Sequence, residues 1–364
     1  MIIDTQLLQE KCKKILDALG TKRGIVADTL ELEVANGSLY MNVTDKEYFV
    51  SVKLPIEDDS PFHAVVPASL FLNLITKTTT KTITMTTTER YLNIKGNGNY
   101  KLALIYDGTS LVDLPRINIE NITNEFTIKN SILQSILKYN DKILYTSGCN
   151  FPVFYVDNAG AVTVSRCACL NTFELEQPVS LILSQKLVKL FKLFKSEVVK
   201  FTMGMDDRGD GVVQQKISFL DDSVMLSAYL NTDTKLVKDF PVSAIRRRAE
   251  KPAPYSATIS KDLLLEALDR LSLFKNKQDV DAVLMHFNVD GVSISDSQEE
   301  NVEVVDFVDA CSLLPEEGYI GKFDVNDLLL ILDSCDDKYL TISFGDRALS
   351  ISKNNIKSML PECK

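Results

Sequence analysis

The sequence predicts an α+β fold of three repeated domains, each with two helices packed on antiparallel sheets. Two observations predict it: internal similarity recurring about every third of the chain, and alternating strands joined by turn residues around few helices. Three stretches share a short β-like lead-in followed by an amphipathic helix. They are "MIIDTQLLQEKCKKILDAL" from Met1, "FTIKNSILQSILKYN" from Phe126 and "YSATISKDLLLEALDRLSLF" from Tyr255. Between them fall "FHAVVPASLFLNLITKTTTKTITMT" from Phe62, "PVSLILSQKLVKLFKLFKSEVVKFTM" from Pro178 and "GYIGKFDVNDLLLILDSCDDKYLTISF" from Gly318. Each of these predicts a strand, a helix of about three turns and another strand.

Strand pairs fill the gaps. Asn36-Gly37 joins two alternating runs, Gly96-Asn97-Gly98 joins two more, and "LTISFGDRALSIS" is expected to turn at Gly345-Asp346. Polarity and proline interrupt the pattern near "NIENITNEF" and "RRRAEKPAPYS", which sets expected domains at 1–122, 123–251 and 252–364.

Composition narrows the class. Hydrophobic residues at 45% and charged residues at 25% describe a soluble globular protein, and no apolar run reaches the length of a membrane span. The N-terminal stretch predicts an amphipathic helix rather than a signal peptide. Seven dispersed cysteines fit reduced thiols, and the expected location is cytoplasmic. A net charge of -10 opposes nonspecific adhesion to nucleic acid, yet leaves room for a local basic surface.

Catalytic constellations are poorly supported. His63 in "FHAVV" and His286 in "VLMHFNV" read as strand residues, and no Walker A or dinucleotide-binding glycine pattern is present. Cys167 and Cys169 would share a strand face, but two thiols alone make a weak metal site. Asp206, Asp207 and Asp210 in "MDDRGDGVV" lack the spacing of a calcium loop, so a hairpin tip is expected. Neither a catalytic residue nor a metal or cofactor is expected.

"LSQKLVKLFKLFKSEVVKF" is the exception to the acidic background. Helical spacing gathers Leu187, Leu190, Phe191, Leu193 and Phe194 on one side and Lys186, Lys189, Lys192 and Lys195 on the other. Such a face can be merely solvated, or it can meet phosphates.

The threefold repeat, "LYMNVTDKEYFVSV" with Thr44-Asp45, "VVPASLFLNLI", "DFP" and the terminal "IKSMLP" with Met359-Leu360-Pro361 resemble the bacterial DNA polymerase III beta subunit, the sliding clamp. The resemblance spans essentially the whole chain. It implies a head-to-tail homodimer, a ring of six domains around double-stranded DNA held without sequence preference. Helices would line the hole, with Lys186, Lys189, Lys192 and Lys195 facing DNA. Supporting candidates are Lys11, Lys13, Lys14, Lys22, Arg23, Lys77, Lys81, Lys129 and Lys138. The implied dimer interface brings Leu273 and Phe274 of one copy near Tyr100 and Leu102 of the other.

The resemblance further implies an apolar cleft for partner peptides, formed by Leu170, Pro241, Ile245, Ala348, Met359, Leu360 and Pro361, with Tyr155 and Cys169 at its wall. Implied partners are the replicative DNA polymerase, an ATP-dependent clamp loader, repair polymerases, ligase and mismatch-repair proteins. The chain would be a processivity factor, not an enzyme, associated with the nucleoid. Two stretches depart from the family: "FDVNDLLLILDSCDD" is acidic for a lining helix, and "TVSRCACLNTF" replaces the usual Thr-Asp-Gly-His-Arg-like turn. Such divergence suits a phage-encoded or otherwise distant clamp. The alternative is a repeat-built protein-interaction scaffold that does not encircle DNA.

Overall fold

One order of elements occurs three times. The first third runs Ile2–Asp4, α1 (Thr5–Ala18), Thr29–Ala35, Ser38–Thr44, Tyr48–Pro55, His63–Pro67, α2 (Ala68–Thr76), Thr82–Thr87, Tyr91–Lys95 and Asn99–Ala103. The second runs Ile122–Lys129, α3 (Asn130–Ile143), Val153–Asp157, Gly160–Val164, Ala168–Thr172, Ser180–Leu183, α4 (Gln185–Lys189), Val198–Asp207, Val213–Leu220 and Val224–Tyr229. After a further helix, α5 (Val242–Glu250), the third follows. It runs Tyr255–Ser260, α6 (Lys261–Leu271), Ala282–Phe287, Gly291–Ser295, Val302–Asp309, Tyr319–Asp324, α7 (Val325–Ser334), Tyr339–Gly345, Ala348–Lys353 and Ile356–Pro361. This computed structural model describes residues 1–19, 28–57, 60–143, 153–157, 160–164, 168–207, 213–230, 242–274, 282–309 and 314–363, by backbone alone at 139–143, 153–157, 160–164 and 207.

Local chemistry starts and stops these elements. Asp4 caps α1 by accepting the Leu7 amide at 3.0 Å, and Asp324 caps α7 by accepting from Asn326 and Asp327. Leu8, Cys12, Ile15 and Ala18 recur at helical spacing and are buried. The Tyr48 hydroxyl donates to the Ala18 carbonyl at 2.8 Å, satisfying an acceptor at the end of α1. Asn36 and Gly37 both adopt positive φ, as a tight hairpin requires.

At the last hairpin the two-residue turn is Asp346-Arg347, one position later than the sequence indicates. Gly345 belongs to the strand, where its φ of 107° and the Pro254 ring 3.0 Å from a would-be Cβ exclude other residues. The helix expected across 183–201 is also shorter. After α4 the chain tightens into a 3-10 turn, Leu190–Leu193, and Asp221 then accepts the Lys195 amide at 3.0 Å. The three-residue period aligns Leu190 with Leu193, and all of Leu190, Phe191, Leu193 and Phe194 are buried. A longer α-helix would carry part of this continuous apolar run into solvent. α5 itself falls where the sequence suggested only a boundary.

Packing gathers the chain into two compact units, one of Met1–Leu133 with Leu190–Thr232, the other of Gln134–Lys189 with Asp233–Lys364. The first holds a four-stranded sheet ending at Asn99–Ala103, and an eight-stranded sheet. In the eight-stranded sheet, Val224–Tyr229 of the second third pairs antiparallel with Tyr48–Pro55 of the first, setting Leu226 opposite Val50. The second unit holds a twelve-stranded sheet. There Ile356–Pro361 of the third third pairs antiparallel with Ala168–Thr172 of the second, setting Ser358 opposite Cys169. The two joints use equivalent strands of the repeat.

In the first unit, residues 112–121 run as a strap over the eight-stranded sheet. Leu114 and Ile117 are buried, Arg116 bonds Glu31 and Glu33 at 3.0 Å each, and its guanidinium lies over the Phe49 ring. Further along, Lys216 donates to the Asn118 carbonyl at 2.9 Å. At Gly204 the strap comes so near that a Cβ would lie 2.5 Å from the Asn121 carbonyl oxygen. Only glycine fits there.

Candidate functional site

The lysines do not form one uniformly free surface. In the first unit Lys14 is half-buried and donates to the Ser223 hydroxyl at 3.0 Å. Burial first, then Lys11, lowers its pKa, and Lys195 adds to this, so these three ammonium groups share one neighbourhood. Lys192 pairs with Asp17 at 2.9 Å. Lys13, Lys77, Lys81, Lys129 and Lys195 are exposed, and Lys11 is half-buried.

In the second unit Lys186 and Lys189 are half-buried on α4, rather than projecting freely as expected. Lys138 pairs with Asp336, whose pKa falls as a result. The acidic segment after α7 is thus partly neutralised, with Asp337 taking Lys353 at 2.6 Å. Lys22 and Arg23 lie outside the described residues. Exposed ion pairs of this kind are worth about 0.2–1 kcal/mol, so a phosphate can displace one carboxylate partner at little cost.

The expected cleft residues divide by strand alternation. Along Ile356–Pro361, Lys357, Met359 and Pro361 take one face, and Ser358 and Leu360 the other. Ile245 and Ala249 of α5 pack on Met359, with Ala168 and Leu170 beside them. Ala348 and Met359 line a shallow cleft together with Arg248, Lys251, Pro252, Ala253, Asp346 and Lys357. Pro361 is exposed opposite Ala348.

Leu360 and Cys169 do not line the cleft. They are 1% and 3% exposed within the core beneath it, because the pleat turns them inward. Burial pushes the Cys169 thiol up to about 12, so it is an unreactive, reduced cysteine. Pro241, Cys167 and Asp210 lie outside the described residues, and Tyr155 is placed by its backbone, on Val153–Asp157.

Sequence reasoning missed the basic rim. Arg248 Nη2 donates to the Asp346 carbonyl at 2.6 Å, and Lys251 Nζ lies 2.5 Å from the Asp346 carboxylate. Lys357 Nζ donates to the Ala249 carbonyl at 2.7 Å, near the end of α5. The run Arg246-Arg247-Arg248 was the available signal, but it stood in a segment read as a boundary.

At the proposed interface, Tyr100, Leu273 and Phe274 are exposed, the last two at 80% and 56%. Leu102 is 3% exposed within its own unit, so only its backbone faces the sheet edge. His63 and His286 both occupy strands; the described residues contain no group of acidic, His or Cys side chains placed to hold a metal, and no helix long and apolar enough to cross a membrane.

Strand quartets repeated three times and joined edge to edge, each backed by helices, define the sliding-clamp fold. Structural comparison extends this over the whole chain. A sliding clamp from Pseudomonas aeruginosa bound to griselimycin superposes with a TM-score of 0.81 at 14% identity, covering 100% of this chain and 99% of that one. The DNA polymerase III beta chain of Streptococcus pneumoniae gives 0.80 at 14% identity, with 100% and 99% coverage. The DNA polymerase III beta subunit of Thermotoga maritima gives 0.78 at 16% identity, with 100% and 98% coverage. Residues 1–123 match the family model of the DNA polymerase III beta subunit, N-terminal domain. A search of curated proteins gave no match. The chain is a divergent relative of the DNA polymerase III beta subunits, matched by sequence over its first third and by fold throughout.

Proposed function

We propose that the chain is a DNA sliding clamp: two copies close into a ring of three domains each, spanning 1–122, 123–251 and 252–364, around duplex DNA. The observation that carries this is the threefold order of elements, which superposes over its full length on sliding clamps. Topological linkage then replaces affinity, so the protein acts as a processivity factor rather than an enzyme. The exposed lysines near α1, α2 and α4 suit sequence-independent phosphate contacts. An ATP-dependent loader opens the ring, and a replicative polymerase docks in the cleft beside α5. Repair polymerases, ligase and mismatch-repair proteins are candidate users of the same cleft, in a cytoplasmic setting.

The dimer follows from counting joints. The outer strand quartets of the first and second thirds find a partner edge in the next third, at Tyr48–Pro55 and Ala168–Thr172. Two edges stay unmatched among the described residues. Asn99–Ala103 has a neighbour on one side, and Val302–Asp309 meets Tyr255–Ser260 only near its end, through Phe307 and Asp309. Val302, Val304 and Val308 are exposed on the latter. Pairing of Asn99–Ala103 with Val302–Asp309 of a second copy repeats the same joint and removes both open edges. Leu273 and Phe274 supply apolar area nearby.

The test is retention on DNA. Protein loaded by its cognate loader stays on a nicked circle and leaves when the circle is cut once. Equal loss from both forms favours a protein-interaction scaffold that does not encircle DNA.

A further inference from the structure

The cleft beside α5 is unlike the rest of this acidic chain. Three cationic side chains line it, Arg248, Lys251 and Lys357, against one carboxylate, Asp346. That carboxylate is already engaged: Lys251 Nζ lies 2.5 Å from it and Arg248 Nη1 3.8 Å away. Its holder is the Asp346-Arg347 turn, where both residues have positive φ, so the carboxylate is presented across the cleft mouth by a tight two-residue loop. The open volume is about 20 Å³, roughly what one water needs and too little for an anchoring side chain. Apolar lining is nevertheless ready beneath, in Met359 and Ala348.

We propose that this cleft takes an extended peptide carrying an aspartate or glutamate beside its apolar anchor, and that the incoming carboxylate replaces Asp346 as the partner of Arg248 and Lys251. The inference rests on the cleft being the peptide site. Asp346 occupies the ligand's place while the cleft is closed, and its release lets Arg248 and Lys251 swing away from Met359. The exchange conserves the number of ion pairs, so it costs little, and selectivity arises because an amide in the same position leaves two cations without their partner. Lys357 adds to the preference. Its pKa is lowered by burial and then by Arg248, a like-charge crowding that a second carboxylate relieves.

The experiment uses full-length protein and two fluorescein-labelled, C-terminally amidated nonapeptides with the same Leu and Phe anchors, one bearing a single Asp and the other Asn in its place. Anisotropy titration at low salt should give the Asp peptide about three- to fivefold tighter binding, with the ratio falling toward one at high salt. Asp346→Asn keeps a residue tolerant of positive φ and removes the internal competitor, so the ratio should widen about threefold further. Arg248→Gln combined with Lys251→Gln should collapse the ratio to about one, in protein shown to be folded by its thermal melt. Equal binding of both peptides, unchanged in Asp346→Asn, overturns the acidic preference while the peptide site stands. Absence of binding by either peptide overturns the site, and the preference with it.

Discussion

The two sheet joints are the same backbone device with opposite surfaces. At the first, Tyr48–Pro55 against Val224–Tyr229, both faces are closed: Phe49, Val50, Val52, Val224 and Leu226 are each at most 1% exposed. At the second, Ala168–Thr172 against Ile356–Pro361, one face is core, while Ala168, Leu170 and Lys357 on the other remain half-buried. What lies over the sheet decides the difference. The strap at 112–121 covers the first sheet with Leu114 and Ile117 and is tied by Arg116 to two glutamates. The second joint is covered by α5, which touches it through Ile245 and Ala249 and leaves a cleft at its end. A joint in a repeat becomes either core or a docking surface according to the linker that crosses it.

The largest expected effect breaks the sealed joint. Gly204→Val would drive two methyl groups into the Asn121 carbonyl and Ile119, forcing the strap off the sheet. A loss of about 3 kcal/mol is expected, read as a lower urea midpoint. A midpoint within experimental error of the parent would mean that the strap does not help hold the first joint.

A smaller effect is expected at the open joint. Ile245→Ala removes the main apolar contact of α5 and should cost about 1–2 kcal/mol. Most of this should appear as faster hydrogen exchange in 242–250, because the helix can detach while the sheet beneath stays folded. Loss of protection spread equally through Ile356–Pro361 would show that α5 is as integral as the strap.

The smallest effect sharpens the role of the strap's charges. His63 Nε2 and Asn42 bond the buried Glu31 at 3.1 and 2.8 Å, beside Arg116. Burial alone would raise the Glu31 pKa, but bonds from His63 and Asn42 and the Arg116 charge outweigh it, so the net shift is downward. The His63 pKa is raised, chiefly by its bond to Glu31. The Glu31 contribution is present above its unfolded value near 4.3 and is lost as pH falls through the lowered folded value. The His63 contribution is complete below about 6.5 and is lost as pH rises through the raised folded value. The stability difference between parent and His63→Gln should therefore be largest at about pH 5–6 and shrink toward pH 8. A pH-independent difference would remove His63 from the network.

Much of this was legible in order along the chain. Strand alternation and the spacing of Leu8, Cys12 and Ile15, with the matching Leu264, Leu268 and Leu271, exposed the repeated strand–helix units, because burial on one face imposes a period on any sequence. Asn36-Gly37 marked its hairpin because few residues tolerate positive φ. Ile245, Met359, Leu170 and Ala348 could be grouped by resemblance, and the structure brings Ile245, Met359 and Leu170 together, with Ala348 beside Met359 in the cleft.

The remainder depended on pairings between residues far apart in sequence. Leu360 and Met359 are neighbours of similar character, and only the strand pairing with Ala168–Thr172 and Ala348–Lys353 decides that one is core and the other cleft. The lysines at 186, 189, 192 and 195 form a regular series, yet the 3-10 turn and carboxylates such as Asp17 and Asp221 give each a different setting. Arg248, Lys251 and Asp346 are separated by nearly a hundred residues and meet because α5 and the last hairpin cross the same sheet. Periodicity records which face of an element is buried. The partner that buries it, and the charges set at its rim, are properties of the assembled fold.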